Sequence, residues 1–526
     1  MLSTRTLPSL LVRADADRSQ GAGHVMRSLA LAQAWRRRGG AIHYLTHRPA
    51  ATLRRRLEAT GASVFEIEKR HPVQADLRAA RERIDRLRRE SETLPWVVLD
   101  GYHFAADYQR ALRSAGCRLL VIDDHAHLPC YHADLILNHG VHAPRLEYPD
   151  CGKAWLLLGT RYALLRPEFE AWRGFARTVP EKAKKILVTL GGADDGNVTM
   201  KVVEALALLG DAAVEALILA GPLNPHLSEL REAVRISPRL RLLSDVTDPA
   251  PLMAWADIAV SAAGTTAWEL AFMQVPALLL VLAENQVSVA EGLEGFGAAQ
   301  SLGAASGVGA AAIAQALCDL IHDAPRRRRM AERGRILVDG MGPARVLAAM
   351  ERRTIGFLDS ELSVRPATGS DKLLLWEWAN DPVTRRHSLS SAAISWDEHE
   401  RWYAEKSASP DCRRWILSAG DLPVGQIRYE RDGEETAKLS FSVAAGFRGS
   451  GFGTRLLQLT IEPAARELGV RRIEGAALVQ NQASRKAFLK AGFVAVEEQI
   501  VSGKHCVIFR RHCGARAQTS DHAACL

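Results

Sequence analysis

Apolar runs alternate with arginine-rich, helix-like stretches along the first two thirds of the chain. The first series of strand-like runs is Leu10–Val12, Ala41–Thr46, Trp96–Leu99 and Leu119–Ile122. A second series starts at Lys185 and continues through Glu215–Gly221, Asp257–Gly264 and Val275–Ala283. Strands that are apolar throughout are typical of a parallel sheet covered on both faces. The pattern predicts two tandem α/β domains, at residues 1–180 and 181–350, with ligands bound beyond the carboxyl ends of their strands.

The hydrophobic pattern changes after residues 351–361, which we interpret as a linker. Shorter strand-like runs follow, then a glycine-rich turn, a helical stretch, one more strand and a last helix that ends in KAGF. This order is typical of an α+β domain, which we place at residues 362–511. Residues 512–526 are polar and are predicted to form a disordered tail.

Length and hydropathy narrow the class of protein. The 526 residues are enough for three or four domains, and the 47% hydrophobic and 24% charged residues exclude a largely disordered chain. The longest apolar run, Val275–Ala283, has nine residues, whereas a bilayer span needs about 20. Leu10–Val12 is too short for the apolar core of a secretory signal. We therefore expect no membrane partner.

Charge and cysteine usage narrow the class further. The formal net charge is +8, and the arginines lie in short clusters such as Arg36–Arg38 and Arg326–Arg329. Such clusters are typical of solvated helix faces or of a general attraction for phosphorylated ligands. No motif joins basic and aromatic residues as a nucleic-acid interface would, so no nucleic acid is expected as a partner. The eight cysteines form no CxxC pair, which indicates reduced thiols and a cytoplasmic location.

A glycine-rich turn follows the first strand and leads into a helix. Gly21 and Gly23 permit the turn, and His24 begins the helix. The dinucleotide-binding fingerprint requires a third glycine where Met26 stands, which argues against a nicotinamide-dependent dehydrogenase. The helix dipole disfavours a protonated His24 and would leave a neutral imidazole able to accept a proton. From spacing alone, a general base and a helix-capping residue both remain open.

This opening resembles a known family of sugar-nucleotide enzymes. Arg13-x-Asp15 followed by Gly21-x-Gly23-His24-x-x-Arg27 resembles the UDP-sugar hydrolases of pseudaminic acid biosynthesis, relatives of the GT-B glycosyltransferases that include the MurG family. Further segments agree in order across residues 8–350: Val97–Phe104, Leu119–Ala126, Ala133–Gly140, Gly159–Phe169 and Leu187–Asn197. The resemblance implies catalytic roles for His24 and Tyr102. It implies substrate-binding roles for Arg13, Asp15, Gly23, Arg27 and Gly192.

Four polar residues after one strand offer donors that a metal ion could use. They are Asp123, Asp124, His125 and His127. Polar residues also gather at strand ends that border an α/β cleft, and we favour this interpretation of the cluster. No metal is predicted.

The segment Ser261–Gln286 contains a candidate nucleotide site. A strand, a glycine turn and a helix start follow one another, and such a helix N-terminus could hold a diphosphate. Glu269 could accept hydrogen bonds from ribose hydroxyls, but Thr266-x-x-Glu269 is equally a capping box. The family resemblance favours ribose binding. It implies a set of nucleotide- and sugar-binding residues: Gly264, Thr265, Thr266, Glu269, Asn285 and Gln286.

A glycine-rich loop in the C-terminal region carries the third candidate site. The loop residues of interest are Phe447, Arg448, Gly449, Gly451 and Gly453. Its three glycines leave successive backbone N–H groups free to point at a pyrophosphate. Together with Asn481-x-x-Ser484, the loop resembles the GNAT acetyltransferases over residues 362–500. The resemblance implies that the loop, Asn481 and Ser484 bind acetyl-CoA as the cosubstrate.

Two further segments refine the GNAT resemblance. Trp376–Pro382 and Ile394–Trp402 resemble the amino-sugar acetyltransferases of the pseudaminic pathway. Many GNAT enzymes place a tyrosine, the general acid, where this chain has Phe488, so the proton donor is left unassigned. His399 and Glu400 are candidate substrate contacts, although a polar helix face is the interpretation we favour.

The sequence therefore predicts a bifunctional enzyme whose ligands are a UDP-amino sugar and acetyl-CoA. The C-terminal domain would acetylate the 4-amino group of the UDP-sugar. The N-terminal module would then hydrolyse UDP-2,4-diacetamido-2,4,6-trideoxy-beta-L-altropyranose to UDP and free sugar, with inversion. Three alternatives remain open: a GT-B glycosyltransferase fused to an acetyltransferase, a UDP-sugar-binding regulator without turnover, and a GNAT domain that acetylates protein amines.

Overall fold

The computed structural model describes residues 7–16, 23–69, 71–72, 74–210, 214–221, 224–235, 237–244, 246–356 and 361–514. Gly21 and most of the predicted tail lie outside these ranges. Contacts within the chain divide it into two compact units, Met1–Arg353 and Thr354–Leu526. In the described part of the chain, no helix is both long and apolar enough to cross a bilayer.

The first sheet of the unit Met1–Arg353 has seven strands, all parallel. The strands are β1 Leu10–Ala14, β2 Ile42–His47, β3 Ser63–Ile67, β4 Trp96–Asp100, β5 Arg118–Ile122, β6 Leu135–Asn138 and β7 Trp155–Leu158. The helices of this region are α1 Gly23–Arg37, α2 Ala51–Glu58, α3 Gln74–Arg89 and α4 Ala106–Ser114. Strands β1 and β4 are buried at every position, as expected for the centre of a sheet covered on both faces.

The second sheet of the same unit has six parallel strands. They are β8 Lys185–Thr189, β9 Glu215–Ala220, β10 Leu240–Ser244, β11 Ile258–Ala262, β12 Ala277–Val281 and β13 Ala299–Ala304. The helices here are α5 Val198–Leu208, α6 Leu227–Val234, α7 Ala250–Trp255, α8 Thr266–Phe272, α9 Val287–Phe296, α10 Ala310–His322, α11 Ala324–Leu337 and α12 Gly342–Ile355. Residues 351–355 of the predicted linker complete α12.

In each sheet the order in which successive strands are added reverses at one point, and the candidate residues follow the strands at that point. The first sheet runs β3-β2-β1-β4-β5-β6-β7 and the second runs β10-β9-β8-β11-β12-β13. The order therefore reverses between β1 and β4 and between β8 and β11. Ligands of doubly wound sheets bind at such switch points, beyond the carboxyl ends of the strands. The loops after these four strands are thus the expected walls of a binding cleft.

The unit Thr354–Leu526 contains one mixed sheet of seven strands. The strands are β14 Leu362–Pro366, β15 Cys412–Ala419, β16 Leu422–Arg431, β17 Thr436–Val443, β18 Arg472–Leu478, β19 Val494–Val501 and β20 Lys504–His512. The helices are α13 Lys372–Asn380, α14 Pro382–His387, α15 Trp396–Ala408, α16 Phe452–Leu468 and α17 Gln482–Lys490. The predicted fold class, two parallel Rossmann-like sheets followed by an α+β domain, is confirmed.

Strands β17 and β18 separate along half of their length. They are the one parallel pair among the described strands of this sheet, and their pairing covers Thr436–Leu439 and Arg472–Gly475. Beyond Leu439 and Gly475 the two strands continue without pairing to each other, although each keeps its other neighbour. The result is a wedge-shaped opening, which we call the β17–β18 opening, bordered by backbone groups of Ser440–Val443 that face no strand on that side.

Candidate active sites

A large cleft lies between the two parallel sheets of the unit Met1–Arg353, with a volume of about 2240 Å³. The residues that the sequence assigned to the hydrolase meet here, apart from Arg13 and Asp15. Those that line the cleft are Gly23, His24, Arg27, Tyr102, Gly192, Gly264, Thr265, Thr266, Glu269, Asn285 and Gln286. The switch points of the two sheets therefore form one shared site.

Gly23 lies directly opposite the helix start that carries Thr265. A Cβ atom at Gly23 would stand 3.9 Å from Thr265 Oγ1, which is ordinary van der Waals contact. Any side chain longer than alanine would project into the space between the two walls. Glycine at this position therefore keeps the space between these two walls free of a side chain.

His24 is held in one orientation by a buried carboxylate. Its Nδ1 lies 2.7 Å from Oδ1 of Asp100, which is fully buried at the end of β4. Although burial alone would raise the pKa of Asp100, Arg27 and His24 hold it below its ordinary value, so the carboxylate is ionised. An ionised carboxylate accepts a hydrogen bond from Nδ1–H, which keeps the proton of a neutral imidazole on Nδ1 and its lone pair on Nε2. No described residue hydrogen-bonds Nε2.

Arg27 joins Asp100 to a second carboxylate. Its Nε and Nη2 donate to the two oxygens of Asp100 at 2.7 Å each, and its Nη1 donates to Asp124 Oδ2 at 2.6 Å. The Tyr102 hydroxyl donates to the same Asp124 oxygen at 2.7 Å. Burial and the Asp124 charge raise the pKa of Tyr102, so its phenol stays neutral. The Tyr102 ring meets the His24 ring edge-on, with centroids 5.0 Å apart.

Burial keeps a second histidine of this network neutral. His139 is 3% exposed, and its Nε2 lies 3.5 Å from Arg27 Nη1. Burial, with the charge of Arg27 acting in the same direction, lowers the pKa of His139 to about 4. The ring lines the cleft wall beside Trp268, with centroids 6.1 Å apart. His139 therefore contributes a neutral polar surface rather than a charge at pH 7.

This lowered pKa predicts a pH-dependent stability. Between pH 6.5 and 4 the unfolded chain binds a proton at His139 that the folded chain does not, so folding stability is lost as the pH falls. The free energy of unfolding should decrease by about 3 kcal/mol across this window on account of His139. Denaturant titrations at several pH values should show a shallower decrease for His139→Gln. Equal slopes in the variant and the wild type would contradict the expected effect.

Arg13 and Asp15 lie behind the cleft wall. Arg13 is fully buried and donates to both oxygens of Asp15, at 2.5 and 2.9 Å, and to Asp76, at 2.5 and 3.2 Å. Asp76 also accepts from the hydroxyl of Tyr108 at 2.7 Å, and Asp15 accepts from the backbone of His47 at 2.8 Å. The described contacts of the pair are internal to the domain, and neither residue lines the cleft.

The cluster after β5 is satisfied by protein groups. Asp123 accepts hydrogen bonds from Tyr131 and from His127, the latter at 3.1 Å. Asp124 is paired with Arg27 and Tyr102 as described above. Across the residues that the structure describes, no group of three or more His, Cys, Asp or Glu has a metal-binding arrangement. The carboxylates here instead fix the positions of neighbouring side chains.

Glu269 is an ion-pair partner and not part of a capping box. Helix α8 begins at Thr266, and its N-cap Thr265 makes no side-chain cap hydrogen bond. Glu269 Oε1 accepts from Arg166 Nε at 2.9 Å, and both side chains are largely buried at the cleft wall. Arg56 also lines this part of the cleft, and the charge of Arg166 acts with burial to lower its pKa. Arg56 Nη2 also lies 3.5 Å from Glu168 Oε1, so the two arginines and the two glutamates balance in charge, and a ligand diphosphate could compete with the glutamates for the arginines.

The remaining nucleotide-side residues come from loops after β8 and β12. Gly192 lines the cleft, and a Cβ at neighbouring Gly221 would overlap its backbone, 2.4 Å from the Gly192 oxygen. The 3₁₀ turn Glu284–Gln286 carries Asn285 and Gln286. Gln286 Oε1 accepts from the backbone of Leu282 at 3.0 Å. Its amide nitrogen is therefore the part of the side chain left for a ligand.

The glycine-rich loop of the second unit has the conformation that its glycines predict. Gly449 and Gly451 have φ of +77° and +85°, a region that favours glycine, and a Cβ at either would meet no atom within 4 Å. Gly453 is different, because a Cβ there would press on Phe441 at 3.2 Å. Two of the glycines thus open space for a ligand, and the third allows α16 to pack on β17. Phe447 is buried beneath the loop.

Arg448 links this loop to α14. Its Nη2 donates to Asp381 Oδ1 at 2.5 Å and to Thr384 Oγ1 at 3.1 Å. Asp381 is the N-cap of α14 and accepts from the backbone of Thr384 at 2.8 Å. The predicted cosubstrate-binding arginine therefore also positions the helix that follows Asp381.

The second GNAT-like motif includes a helix cap. Asn481 caps α17, and its Oδ1 accepts from the backbone of Ser484 at 3.1 Å. Phe488 is 1% exposed and stacks on Phe509 with ring centroids 4.8 Å apart. The hydroxyl of a tyrosine at this position would lie within the aromatic core, so the side chain at position 488 contributes to packing and not to proton transfer. His399 is buried, with its Nε2 2.9 Å from the backbone oxygen of Lys372, whereas Glu400 pairs with the Lys372 side chain at 2.8 Å.

A family model matches the second unit. Residues 361–494 match the acetyltransferase (GNAT) domain. The match includes the β17–β18 opening, the glycine-rich loop and the helix capped by Asn481. The C-terminal unit therefore contains a GNAT acetyltransferase domain.

Three known proteins are similar to longer parts of the chain. Spore coat polysaccharide biosynthesis protein SpsG of Bacillus subtilis is 30% identical over 201 residues, 38% of this chain and 59% of that protein. UDP-2,4-diacetamido-2,4,6-trideoxy-beta-L-altropyranose hydrolase of Campylobacter jejuni is 24% identical over 285 residues, 53% of this chain and 94% of that enzyme. The uncharacterized protein MJ1062 of Methanocaldococcus jannaschii is 21% identical over 506 residues, 91% of this chain and 95% of that protein.

The lengths of these matches indicate which of the two units each match covers. The chain spans less than two thirds of SpsG but nearly all of the other two proteins. The 285-residue match to the C. jejuni hydrolase is longer than the unit Thr354–Leu526, so it extends into the unit that contains the cleft. The match to MJ1062 extends over both units, which indicates that the two-unit arrangement recurs in another protein.

Proposed function

We propose that the chain is a bifunctional enzyme acting at two consecutive steps on one UDP-sugar. The GNAT unit transfers acetyl from acetyl-CoA to the 4-amino group of a UDP-4-amino-4,6-dideoxy-N-acetyl-altrosamine. The cleft then hydrolyses the diacetamido product to UDP and 2,4-diacetamido-2,4,6-trideoxy-L-altrose. The observation that carries the hydrolase assignment is the His24–Asp100 pair, with Nδ1 and Oδ1 2.7 Å apart, opposite the Arg166–Glu269 pair in one cleft.

Hydrolysis requires one base and a place for the leaving nucleotide. His24 Nε2 accepts a proton from water, and the water oxygen forms a bond to the anomeric carbon as the bond to the UDP oxygen breaks. Asp100 stabilises the resulting imidazolium. The diphosphate lies toward the arginine-rich wall, so water attacks from the opposite face and the anomeric centre inverts. Proton NMR of product formed in deuterated buffer should show inverted sugar first, and initial retention would contradict the single-displacement mechanism.

The contacts of the other predicted residues support positioning roles. Arg27 holds Asp100 ionised, and Tyr102 lines the sugar side of the cleft with its hydroxyl held by Asp124. Arg13 and Asp15 fix the carboxyl end of β1 from behind. We assign these two residues to support of the site rather than to substrate contact.

Acetyl transfer requires a cradle for the cosubstrate and an approach for the amine. The open backbone around Gly449 and Gly451, at the start of α16, suits the pyrophosphate of acetyl-CoA. The β17–β18 opening leaves room for the pantetheine arm, whose amides could pair with the free side of β17. The sugar amine would meet the thioester at this opening. One chain then catalyses both acetyl transfer and hydrolysis, and the product of acetyl transfer is the substrate of hydrolysis.

Glu269 is expected to bind the ribose of the nucleotide. Its replacement by alanine should weaken UDP binding by about 1.5–3 kcal/mol, because a charged hydrogen-bond acceptor is lost. Isothermal titration calorimetry with UDP measures the change. Glu284→Ala, an exposed carboxylate on the same cleft, is the matched control and should bind UDP as the wild type does. Unchanged UDP affinity in Glu269→Ala would overturn the ribose assignment.

A further inference from the structure

Phe488 leaves the acetyl-transfer step without the proton-handling tyrosine of many GNAT enzymes, and the strands at the opening do not supply a substitute. Lys438 is the titratable residue of β17. In β18, Glu474 forms an ion pair with Arg510, whose Nε donates to Glu474 Oε1 at 2.7 Å. The nearby tyrosine Tyr429 is buried and bonded to Thr460. A proton acceptor must therefore come from an element that crosses the opening.

Helix α14 is fixed at both sides of the β17–β18 opening. At its N-terminus, Asp381 and Thr384 are bonded to Arg448, which follows β17. At its C-terminus, the Ser388 carbonyl accepts from Lys504 Nζ at 2.8 Å. Lys504 begins β20, whose following residues Cys506–Ile508 pair with the carboxyl half of β18. The helix therefore bridges the mouth of the opening, from the β17 side to the β18 side.

His387 is the last residue of this bridge. Its Nδ1 is buried and has no hydrogen-bond partner among the described residues. The charges that act on it come from Arg386 on its own helix and Arg448 from the loop, while Lys504 of β20 is bonded to the neighbouring Ser388 carbonyl and Asp381 is paired with Arg448. Burial and the charges of Arg386 and Arg448 lower the pKa of His387, which favours a neutral imidazole.

We infer that His387 is the catalytic base of acetyl transfer and contacts the acceptor amine at the mouth of the β17–β18 opening. The amine nitrogen forms a bond to the thioester carbonyl carbon, and the carbon–sulfur bond breaks with its electron pair leaving as the thiolate of CoA. His387 accepts the proton that the amine loses, and solvent protonates the thiolate. This assignment rests on the proposed acetyltransferase function and adds the residue that Phe488 leaves missing.

The test compares His387→Gln with wild type in the full-length chain, with release of free CoA thiol as the readout. The variant should lose kcat by about 10²-fold or more, while KM for acetyl-CoA stays within about 2-fold. The wild-type rate should fall on acidification below the ordinary histidine pKa of about 6.5, and the variant should lack this acidic limb. His505→Gln, an exposed histidine next to Lys504, is the matched control and should behave as wild type.

Chemical rescue separates a base from a structural residue. Added imidazole should restore turnover to His387→Ala but not to Gly451→Glu, whose defect is predicted to lie in cosubstrate binding. Wild-type kcat in His387→Gln, or a defect that keeps the acidic limb and is not rescued, would overturn the role of His387 alone. A wild-type chain that acetylates no amino sugar would overturn the proposed acetyltransferase function together with this inference.

Discussion

His24→Ala is expected to lower the rate of UDP release from the diacetamido UDP-sugar by about 10²–10⁴-fold, with UDP affinity nearly unchanged. The reason is that no described residue hydrogen-bonds Nε2, which leaves it available to take a proton from water, while Asp100 holds the ring through Nδ1. Steady-state assay of UDP release and calorimetry with UDP measure the two quantities. A turnover number near wild type in the folded variant would remove the base assignment.

A second variant, Asp100→Asn, tests the base role of His24 through the residue that orients its ring. An amide in place of the carboxylate can donate to Nδ1, which favours the tautomer with its proton on Nε2 and blocks proton acceptance there. The fall in turnover should be of the same order, about 10²–10⁴-fold. Because the two residues act as one unit, the double variant should be little slower than His24→Ala. Losses that multiply in the double variant would show that Asp100 acts independently of His24.

Gly451→Glu is expected to abolish acetyl transfer and to leave hydrolysis of pre-acetylated UDP-sugar at the wild-type rate. Gly451 is the N-cap of α16 with φ of +85°, and a side chain there enters the space assigned to the pyrophosphate. Glutamate adds both bulk and a charge of the same sign as the phosphates. Paired assays on one preparation measure both activities.

Gly433→Glu is the matched control for this variant. Gly433 also has φ of +85°, and a Cβ there would meet no atom within 4 Å, but it lies in the turn between β16 and β17. It should carry the same backbone strain and the same added charge without loss of acetyl transfer. Acetyl transfer that survives in Gly451→Glu would remove the cosubstrate assignment. Loss of both activities, with intact circular dichroism, would show that the two units are functionally coupled.

The sequence predicted the inner strands of both parallel sheets except β6, which is buried along its whole length, and it did not predict the edge strands. Strands such as β1, β4 and β11 are buried on both faces, so each appears as an unbroken apolar run. The strands β3, β10 and β13 lie at sheet edges and are partly exposed. Polar residues are tolerated at such positions, and the hydrophobic pattern of these strands is lost among the neighbouring loops.

The candidate site was predictable as a set of motifs but not as a set of contacts. Asp100 stands 76 positions from His24, and the two meet because β1 and β4 are neighbours in the sheet. That neighbour relation depends on strand order, which the sequence pattern does not give. The same is true of Arg166, which lies inside a segment that carried the family resemblance but meets Glu269 across 103 positions.

Arg13 shows that the sequence also leaves open which way a charged side chain faces. The family resemblance implied substrate binding for this residue. Its guanidinium is instead enclosed by Asp15 and Asp76, the latter 63 positions away on α3. Whether a strand-end cation faces the cleft or the interior depends on which helix supplies its partner. That information appears only in the folded chain.

Mass spectrometry of the products formed from the 4-amino UDP-sugar with acetyl-CoA, and with no sugar acceptor present, tests the proposed two-step activity most directly. The expected result is a UDP-sugar that gains one acetyl group, followed by UDP and the free diacetamido sugar. Without acetyl-CoA, the amino sugar should remain unacetylated. An acetylated UDP-sugar that accumulates without UDP release would contradict the hydrolase assignment and favour transfer to an acceptor. UDP release with no acetylated product would contradict the acetyltransferase assignment.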